Sequence, residues 1–218
     1  MQVLFLGAPG SGKGTQCKKL SAKLDLAHLS SGDLLRAAIR ENTPVGMKAK
    51  SFMDQGVLVP DPVLIEMFRE ALSMPALKKG FILDGFPRNL SQAESLDKLL
   101  DELDMKLNAV IDMEIDFAML EERLVGRRSC PNKVCANVFH VKFAPPKVED
   151  TCDFCGTQLI HRSDDKVEVV SSRLETYKKE TEPLIGFYKA KGVLKTLNAD
   201  DTPEHIFQEI LKVLQVAV

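Results

Sequence analysis

The sequence predicts an α/β fold in which helices flank a parallel sheet and two insertions interrupt the alternation of strand and helix. Short apolar runs alternate with amphipathic stretches along the chain, which is typical of a parallel sheet wrapped by helices. The chain has 218 residues, of which 44% are hydrophobic and 28% are charged. This composition favours one substantial core and excludes both the low hydropathy of disorder and the long apolar run of a membrane span.

The predicted strands are β-rich runs at residues 3–6, 81–83, 110–115 and 193–197. A helical pattern from about residue 13 to 24 follows the first of them. Asp61 and Thr202 each precede a proline, so we expect both side chains to cap helices that have proline at the first helical position. In the last helix, Ile206, Ile210 and Leu214 recur every fourth residue and predict its buried face.

Two segments depart from this alternation: residues 30–59, here called the first insertion, and residues 126–165, the second insertion. The first is helical in texture and rich in small and polar residues. The second contains four of the five cysteines and short β-like runs such as 138–143. We expect residues 1–29, 60–125 and 166–218 to form the core domain.

Charge and terminal sequence restrict the partners and the compartment. Lys and Arg number 29 against 31 Asp and Glu, a net charge of -2, so any polyanionic ligand must be held by local charge. The N-terminus has no basic region and no small-residue cleavage site, which favours the cytoplasm. Lys18 and Lys19 are interpreted as part of a solvated helix face. The four histidines, which show no metal spacing among themselves, are assigned structural or surface roles.

A glycine-rich loop from Gly7 to Thr15 lies between the first predicted strand and helix, the context that a phosphate-binding loop requires. Its glycines allow backbone N–H groups to surround phosphate oxygens, and Lys13 can reach the terminal phosphates. Gly14 follows the lysine where Ser or Thr is usual, so Thr15 must supply any hydroxyl near a metal. The alternative is a tight strand-to-helix turn with an exposed lysine.

Two further motifs follow the loop in order: SSGDLLR at residues 30–36 and DGFPR at residues 84–88. With the loop, they resemble the adenylate kinases, and the resemblance extends over essentially the whole chain. Residues 126–128, 140–143, 145–147 and 162–165 are similar to the long lid of that family. The resemblance implies a P-loop parallel sheet, a helical NMP-binding insertion at 30–59 and a small zinc-bearing lid at 126–165.

The implied reaction is reversible transfer of the terminal phosphoryl group of ATP to AMP, giving two ADP, with Mg²⁺ bound. The acceptor phosphate is largely dianionic near neutral pH, so no general base is required and catalysis becomes positioning and charge neutralisation. The alternatives are a GTP:AMP phosphotransferase or another nucleoside monophosphate kinase of this fold. A hypothesis of a different class is a P-loop ATPase whose cysteine knuckle binds nucleic acid.

Arginine suits these roles because its planar fork stays charged and binds phosphate oxygens in pairs. The resemblance implies a catalytic set of Lys13, Arg88, Arg123, Arg127, Arg162 and Arg173. It assigns ATP binding to Gly10, Ser11, Gly12, Lys13, Gly14, Thr15, Arg123, Arg127, Val138, Phe139 and Thr202. It assigns AMP binding to Ser31, Arg36, Val57, Leu58, Val59, Gly85, Phe86, Pro87, Arg88, Gln92, Arg162 and Arg173, with the Gln92 amide reading an adenine edge.

Carboxylates complete the expected site. Asp84 ends an apolar strand beside the glycine-rich loop, where it and Thr15 would be associated with Mg²⁺; the alternative for Asp84 is a turn or helix-capping role. Asp164 and Asp165 either orient lid arginines or cap the helix that begins near Lys166. The expected partners are ATP, AMP and ADP, and we expect a monomer that binds neither nucleic acid nor membrane.

Cys130, Cys135, Cys152 and Cys155 form a C-x4-C and a C-x2-C pair, which predict two knuckles closing on one structural Zn²⁺. Free thiols, disulfides and iron are the alternatives. Nucleic-acid binding would require a basic knuckle, but Lys133, Lys142 and Lys147 are balanced there by Glu149, Asp150 and Asp153. Cys17 is predicted to be a small buried core residue.

Overall fold

The computed structural model describes residues 1–132 and 134–216, so Lys133 of the knuckle charge balance lies outside the described residues. In chain order, the strands and longer helices are β1 (Gln2–Leu6), α1 (Lys13–Leu24), β2 (Ala27–Ser30), α2 (Ser31–Arg40), α3 (Pro44–Gln55), α4 (Asp61–Leu72), β3 (Phe81–Asp84), α5 (Leu90–Glu102), β4 (Ala109–Glu114), α6 (Phe117–Val125), β5 (Arg127–Ser129), β6 (Val138–His140), α7 (Val167–Thr176), α8 (Pro183–Ala190), β7 (Leu194–Asn198) and α9 (Pro203–Val213). Short 3-10 turns cover Pro75–Lys79 and Ser163–Asp165, and a π-helical turn covers Tyr177–Thr181.

A parallel sheet in the order β2-β3-β1-β4-β7 forms the centre of the molecule, which confirms the predicted α/β class. The four predicted strands are present, with ends that differ from the prediction by one residue at most. The sequence analysis missed β2, a strand of four half-buried residues that includes His28 and Ser30. Such a short, partly polar run carries too little alternation to be recognised.

Strand β1 contributes to the core on both faces of the sheet because successive side chains point to opposite sides. Leu4 and Leu6 belong to one buried cluster, which α4, α5 and α8 cover. Val3 and Phe5 belong to the other, which α1 and α9 cover. The central position of β1 brings the loop that follows it next to the end of β3, since Phe5 is in register with Asp84.

The two insertions have different structures. The first forms α2 and α3, as its helical texture predicts, and Thr43 caps α3 by accepting a hydrogen bond from the Gly46 N–H group. The second forms the antiparallel pair β5 and β6. The predicted run at 138–143 is wrong beyond His140, because His140 Nδ1 accepts hydrogen bonds from the N–H groups of Lys142 and Phe143 and turns the chain.

The two predicted proline-associated caps have different outcomes. Thr202 accepts a hydrogen bond from the His205 N–H group and caps α9, as predicted. The prediction for Asp61 is wrong: α4 begins at Asp61 itself and Pro60 occupies the cap position. The Asp61 carboxylate instead accepts hydrogen bonds from the side chains of Asn89 and Gln92, because it faces the start of α5.

The buried face of α9 is as predicted, with Ile206, Ile210 and Leu214 each 9% exposed or less. Throughout residues 1–132 and 134–216, every helix is too short or too polar to span a lipid bilayer.

Candidate active site

A cavity of about 930 Å³ opens beside the carboxyl ends of β1, β2 and β3. The glycine-rich loop, the first insertion, the loop after β3 and the second insertion all contribute to its wall. In parallel sheets, ligands bind at this edge, where the loops that follow neighbouring strands converge. The fold therefore concentrates the motifs identified in the sequence at one place.

The glycine-rich loop encloses the Lys13 ammonium group, which donates to the carbonyl oxygens of Gly7 at 2.7 Å and Ala8 at 2.9 Å. Gly7 has φ +135°, and a Cβ atom there would approach the Met113 carbonyl oxygen to 2.7 Å, so the position requires glycine. Among the described residues, no side chain caps the first turn of α1. No described side chain therefore competes with an anion for the N–H groups at this helix N-terminus. The alternative of an exposed lysine on a simple turn does not fit, because Lys13 is enclosed.

The Asp84 carboxylate lies at the end of β3 next to this loop. A Cβ atom on Gly14 would be 3.5 Å from Asp84 Oδ2, so the backbone of α1 approaches the carboxylate closely. Burial opposes its ionisation, but His28 and the charge of Lys13 outweigh that effect and lower the pKa of Asp84. The carboxylate is therefore ionised at neutral pH. Thr15, like Asp84, lines the cavity.

Positive charge from distant parts of the chain converges on the cavity. All six predicted arginines line it: Arg36, Arg88, Arg123, Arg127, Arg162 and Arg173. Burial, followed by the charges of Arg127 and Arg36, lowers the pKa of Arg162 to about 9. Burial and the charge of Arg173 lower the pKa of Arg88 to about 10. Burial is also the main cause that lowers the pKa of Lys13 to about 8.

Two buried carboxylates hold part of this arginine set. Asp165 pairs with Arg127 at 2.5 Å and with Arg173 at 2.8 Å, and Asp164 Oδ2 lies 3.3 Å from Arg173 and 4.0 Å from Arg36. Of the two interpretations given above for these aspartates, the contacts favour orientation of arginines. Lys166 occupies the cap position of α7, and no described side chain caps that helix.

Most of the other predicted nucleotide-binding residues also line the cavity. They are Gly10, Gly12, Gly14, Ser31, Val57, Leu58, Val59, Gly85, Pro87, Val138, Phe139 and Thr202. Ser11, Phe86 and Gln92, all within the described residues, lie outside its wall. Phe86 stacks on Phe68 in the core with ring centroids 4.2 Å apart. The buried Gln92 amide accepts from the Arg88 N–H group and donates to Asp61.

The cavity wall also includes charged or titratable residues with no predicted role in the site, among them Lys18, His28 and Asp33. The interpretation of Lys18 as a solvated residue is wrong, because its ammonium group donates to the Ala136 carbonyl oxygen of the second insertion. Burial lowers the pKa of Lys18. Asp33 pairs with Arg36 at 2.7 Å, and its place in the SSGDLLR motif is the signal that could have identified it. Lys18 gives no such signal, because its partner is a backbone atom 118 residues away.

The four cysteines of the second insertion meet in one cluster, as their spacing predicts. Their Sγ atoms all lie within 4.8 Å of one another, and the closest pairs are Cys130 with Cys155 at 3.4 Å and Cys135 with Cys152 at 3.5 Å. These separations are those of free thiols rather than disulfides. Sulfur ligands of a tetrahedral metal lie about 3.8 Å apart for metal–sulfur bonds of about 2.3 Å, so the cluster could hold a metal ion.

A phosphate-binding loop on a parallel sheet, facing a group of arginines, defines the class of P-loop nucleotide phosphotransferases. The chain matches the family model for adenylate kinase over residues 5–193. It is 49% identical to an adenylate kinase of Thermodesulfovibrio yellowstonii over 215 residues, which cover 99% of both chains. An adenylate kinase of Carboxydothermus hydrogenoformans is 47% identical, and the match covers 99% of this chain and 100% of the relative.

The chain therefore belongs to the adenylate kinase family, which confirms the resemblance predicted from the three motifs. It is a phosphotransferase that acts between ATP and AMP.

Proposed function

We propose that the cavity binds both nucleotides at once, with ATP phosphates on the glycine-rich loop and the AMP phosphate at Arg36 and Arg88. The observation that carries this proposal is the convergence of six arginines and Lys13 on one cavity. The charges come from α1, α2, α6, α7, β5 and two loops, so the fold gathers them from separate parts of the chain. A multiply charged phosphate chain is the ligand that such a group neutralises.

The lowered pKa values support an anionic occupant. Burial and mutual repulsion hold the pKa values of Lys13, Arg88 and Arg162 below their usual range, so these charges lack full compensation within the protein. Bound phosphate would supply the missing negative charge. The strongest attraction would develop where charge is greatest in the transition state, which is the basis of catalysis without a general base.

The acceptor half of the site is built around Arg88 and Ser31. Arg88 Nε donates to the Gly85 carbonyl oxygen at 2.7 Å, and Ser31 Oγ donates to the same oxygen at 2.6 Å. This network fixes the guanidinium at the cavity wall. Val57, Leu58 and Val59 provide apolar surface for a base. Gln92 holds the Arg88 backbone in this structure, so its amide would have to leave Asp61 to read an adenine edge.

The donor half contains Lys13, Thr15 and Asp84, with Arg123, Val138, Phe139 and Thr202 toward the base. The Asp84 carboxylate and the Thr15 hydroxyl are hard oxygen donors of the kind that suit Mg²⁺, directly or through its waters. When bound, Mg²⁺ would neutralise charge on the donor phosphates. Lys13 would exchange its carbonyl partners for phosphate oxygens, and Asp84 would remain ionised.

The transfer step needs no proton from the protein. An oxygen of the AMP phosphate attacks the terminal phosphorus of ATP, and the bond to the bridging oxygen breaks, leaving ADP on the loop and ADP in the acceptor half. Arg88, Arg123, Arg127, Arg162 and Arg173 would contact the transferring group and hold the two nucleotides in line.

The first insertion is proposed to carry AMP, and the second to act as a lid that excludes water. The four cysteines suit Zn²⁺ because four thiolates close a tetrahedral site and leave no position for substrate. Zn²⁺ would then hold the lid together and take no part in phosphoryl transfer.

We also infer a cytoplasmic monomer with nucleotides as its only partners. A single chain supplies every charged group of the proposed reaction. A cluster of reduced thiols that binds metal is typical of a reducing compartment.

The test is product formation from purified protein with Mg²⁺ and a panel of donors and acceptors. ATP and GTP are each offered with AMP, CMP, UMP or GMP. ADP formed from ATP and AMP alone supports the proposal, and a preference for GTP would change the assignment to a GTP:AMP phosphotransferase. If ATP is hydrolysed but none of the monophosphates is phosphorylated, the kinase function is contradicted. Nucleic-acid binding would then be tested.

A further inference from the structure

Cys17, His28 and Asp84 form a second cluster of metal-binding side chains, separate from the four cysteines. They come from α1, β2 and β3, and their ligand atoms all lie within 4.8 Å of one another. Cys17 is fully buried, and the side chains of His28 and Asp84 are only 13% and 12% exposed. His28 and Asp84 line the cavity wall, so the cluster has a protein side and an open side.

The His28 imidazole has only a long contact with Asp84 in this arrangement. Its Nε2 atom is buried and has no hydrogen-bond partner among the described residues. The nearest carboxylate atom, Asp84 Oδ2, is 3.4 Å away. A buried ring nitrogen of this kind is destabilising unless something coordinates or hydrogen-bonds it. The Cys17 thiol and the Asp84 carboxylate lie beside it.

The chemistry of the donor set selects the ion. A thiol, an imidazole and a carboxylate suit Zn²⁺ or Cd²⁺, whereas Mg²⁺ prefers oxygen ligands alone. Three protein ligands with a free fourth position are the arrangement of zinc sites that exchange ligands. Ligands of tetrahedral zinc lie about 3.5 Å apart for bonds of about 2.0–2.3 Å. Side-chain rotations that move the ligand atoms by about 1 Å would therefore complete the site.

We propose that Cys17, His28 and Asp84 bind a thiolate-preferring divalent ion, and that this ion inhibits phosphoryl transfer by removing Asp84 from the nucleotide-associated Mg²⁺. The Cys17 thiol releases its proton to solvent as the sulfur–metal bond forms. The nearby charge of Lys13 opposes a cation here, so the affinity is lower than that of the four-cysteine cluster. The inhibition rests on the proposed function, whereas the binding does not.

Binding is tested with Cd²⁺ as the probe, on full-length protein whose four-cysteine cluster is already loaded with Cd²⁺. Equilibrium dialysis and cadmium–thiolate absorption are followed together. We expect the wild-type protein to take up a further ion with a rise in thiolate absorption. Cys17→Ser abolishes that rise, and His28→Gln lowers the affinity by at least about tenfold, since even loss of an outer-shell partner has that effect.

The matched control is His205→Gln. His205 is an exposed histidine beside two carboxylates, Asp201 at 2.5 Å and Glu209 at 3.9 Å, and could bind Cd²⁺ adventitiously. Loss of the further ion in this variant, or its retention with full thiolate absorption in Cys17→Ser, overturns the proposal. Absence of any further ion in the wild-type protein overturns it too. If Cys17→Ser does not fold, His28→Gln and His205→Gln decide the outcome.

Inhibition is tested separately by titrating Zn²⁺ into the ADP-forming assay at saturating substrate and Mg²⁺. Cys17→Ser is expected to retain basal activity and to need at least about tenfold more Zn²⁺ for half-inhibition. Equal sensitivity of the two proteins would overturn the inhibitory role. A wild-type protein that forms no ADP would refute the proposed function and leave the dialysis result standing, so the two failures are distinguishable.

Discussion

In the cavity at the end of the sheet, burial and repulsion between cations lower the pKa values of Lys13, Arg88 and Arg162. In the four-cysteine cluster, the Sγ atoms lie within 4.8 Å of one another around a volume that fits one ion. The cavity therefore retains positive charge that is not fully compensated, which suits an anionic ligand that binds and dissociates. Four sulfur ligands would complete a tetrahedral site, so a metal ion bound in the cluster would have no open position for exchange with substrate.

The two regions are connected through β5. Arg127 begins this strand, Ser129 ends it and Cys130 follows directly. Ser129 Oγ accepts a hydrogen bond from Arg162 Nε at 2.8 Å, so both arginines are held by the strand that leads into the cluster. Changes in the cavity should therefore alter rate with the fold intact, whereas changes in the cluster should alter stability first.

The largest effect is expected for Arg88→Ala. Its guanidinium is held at the cavity wall, and loss of an arginine that stabilises a transferring phosphoryl group lowers kcat by about 10³-fold. The far-ultraviolet circular dichroism and the melting temperature should change little. Steady-state kinetics of ADP formation give the measurement.

Arg69→Ala is the matched control for Arg88→Ala. Arg69 pairs with Glu102 at 2.6 Å on the surface, and exposed pairs of this kind contribute little to stability. Its kcat should stay within about twofold of wild type, as expected of a surface pair. Near-normal activity of Arg88→Ala would remove Arg88 from the site and show that a change in the cavity does not alter the rate.

Removal of metal from the four-cysteine cluster should give the reverse pattern. We expect a chelator to lower the melting temperature by about 10 °C, since structural metal contributes several kcal/mol and about 1 kcal/mol shifts a chain of this size by about 2–4 °C. Well below the melting temperature, kcat should change by less than about threefold, because thiolate ligands do not touch substrate. Differential scanning calorimetry and the ADP assay are run on the same samples.

Restoration of the melting temperature by added Zn²⁺ is the control for the chelator. The same melting temperature with and without chelator would contradict a structural metal. A fall in kcat as large as that of Arg88→Ala would show that the two regions are not separable.

The third prediction concerns the buried carboxylate of Asp112 and the pH dependence of the free energy of unfolding. Burial, followed by the charge of Glu114, raises the pKa of Asp112 to about 6. The pKa of an unfolded aspartate is about 3.9, so below that pH the side chain is protonated in both the folded and the unfolded state. Between about pH 4 and 6 the unfolded chain ionises first, and the free energy of unfolding falls as the pH rises. Above about pH 6 the loss is complete.

Asp112→Asn removes this penalty. We expect the variant to be more stable than wild type by about 1–2 kcal/mol at pH 7, after allowance for solvent screening, and nearly equal to it at pH 4. Urea denaturation at the two pH values measures the difference. Equal stabilisation at both pH values would mean that packing, not charge, is responsible.

Motifs within short stretches of sequence predicted the fold class correctly, and most of the residues they assigned to the site line one cavity. The glycine-rich loop fixed the position of Lys13, and the cysteine spacing predicted a cluster that the structure confirms. Asp61 was misassigned because the sequence cannot show that its carboxylate faces Asn89 and Gln92. Lys18 was missed for a similar reason: its role depends on how the second insertion lies over α1, which is a long-range property of the fold.

The smallest effect is expected for Lys18→Ala. The Lys18 ammonium group donates to the Ala136 carbonyl oxygen. This contact joins α1 to the part of the second insertion that lies between its two cysteine pairs. Loss of a partly buried charged hydrogen bond worth about 1 kcal/mol should raise the KM for ATP about fivefold and change kcat less, because the insertion is held less firmly over bound nucleotide. Lys19→Ala is the matched control, since Lys19 pairs with Glu204 at 2.6 Å on the core domain, and its KM should be unchanged. Equal KM values in the two variants would mean that the Lys18 contact does not couple the cavity to the second insertion, and that the connection through β5 acts alone.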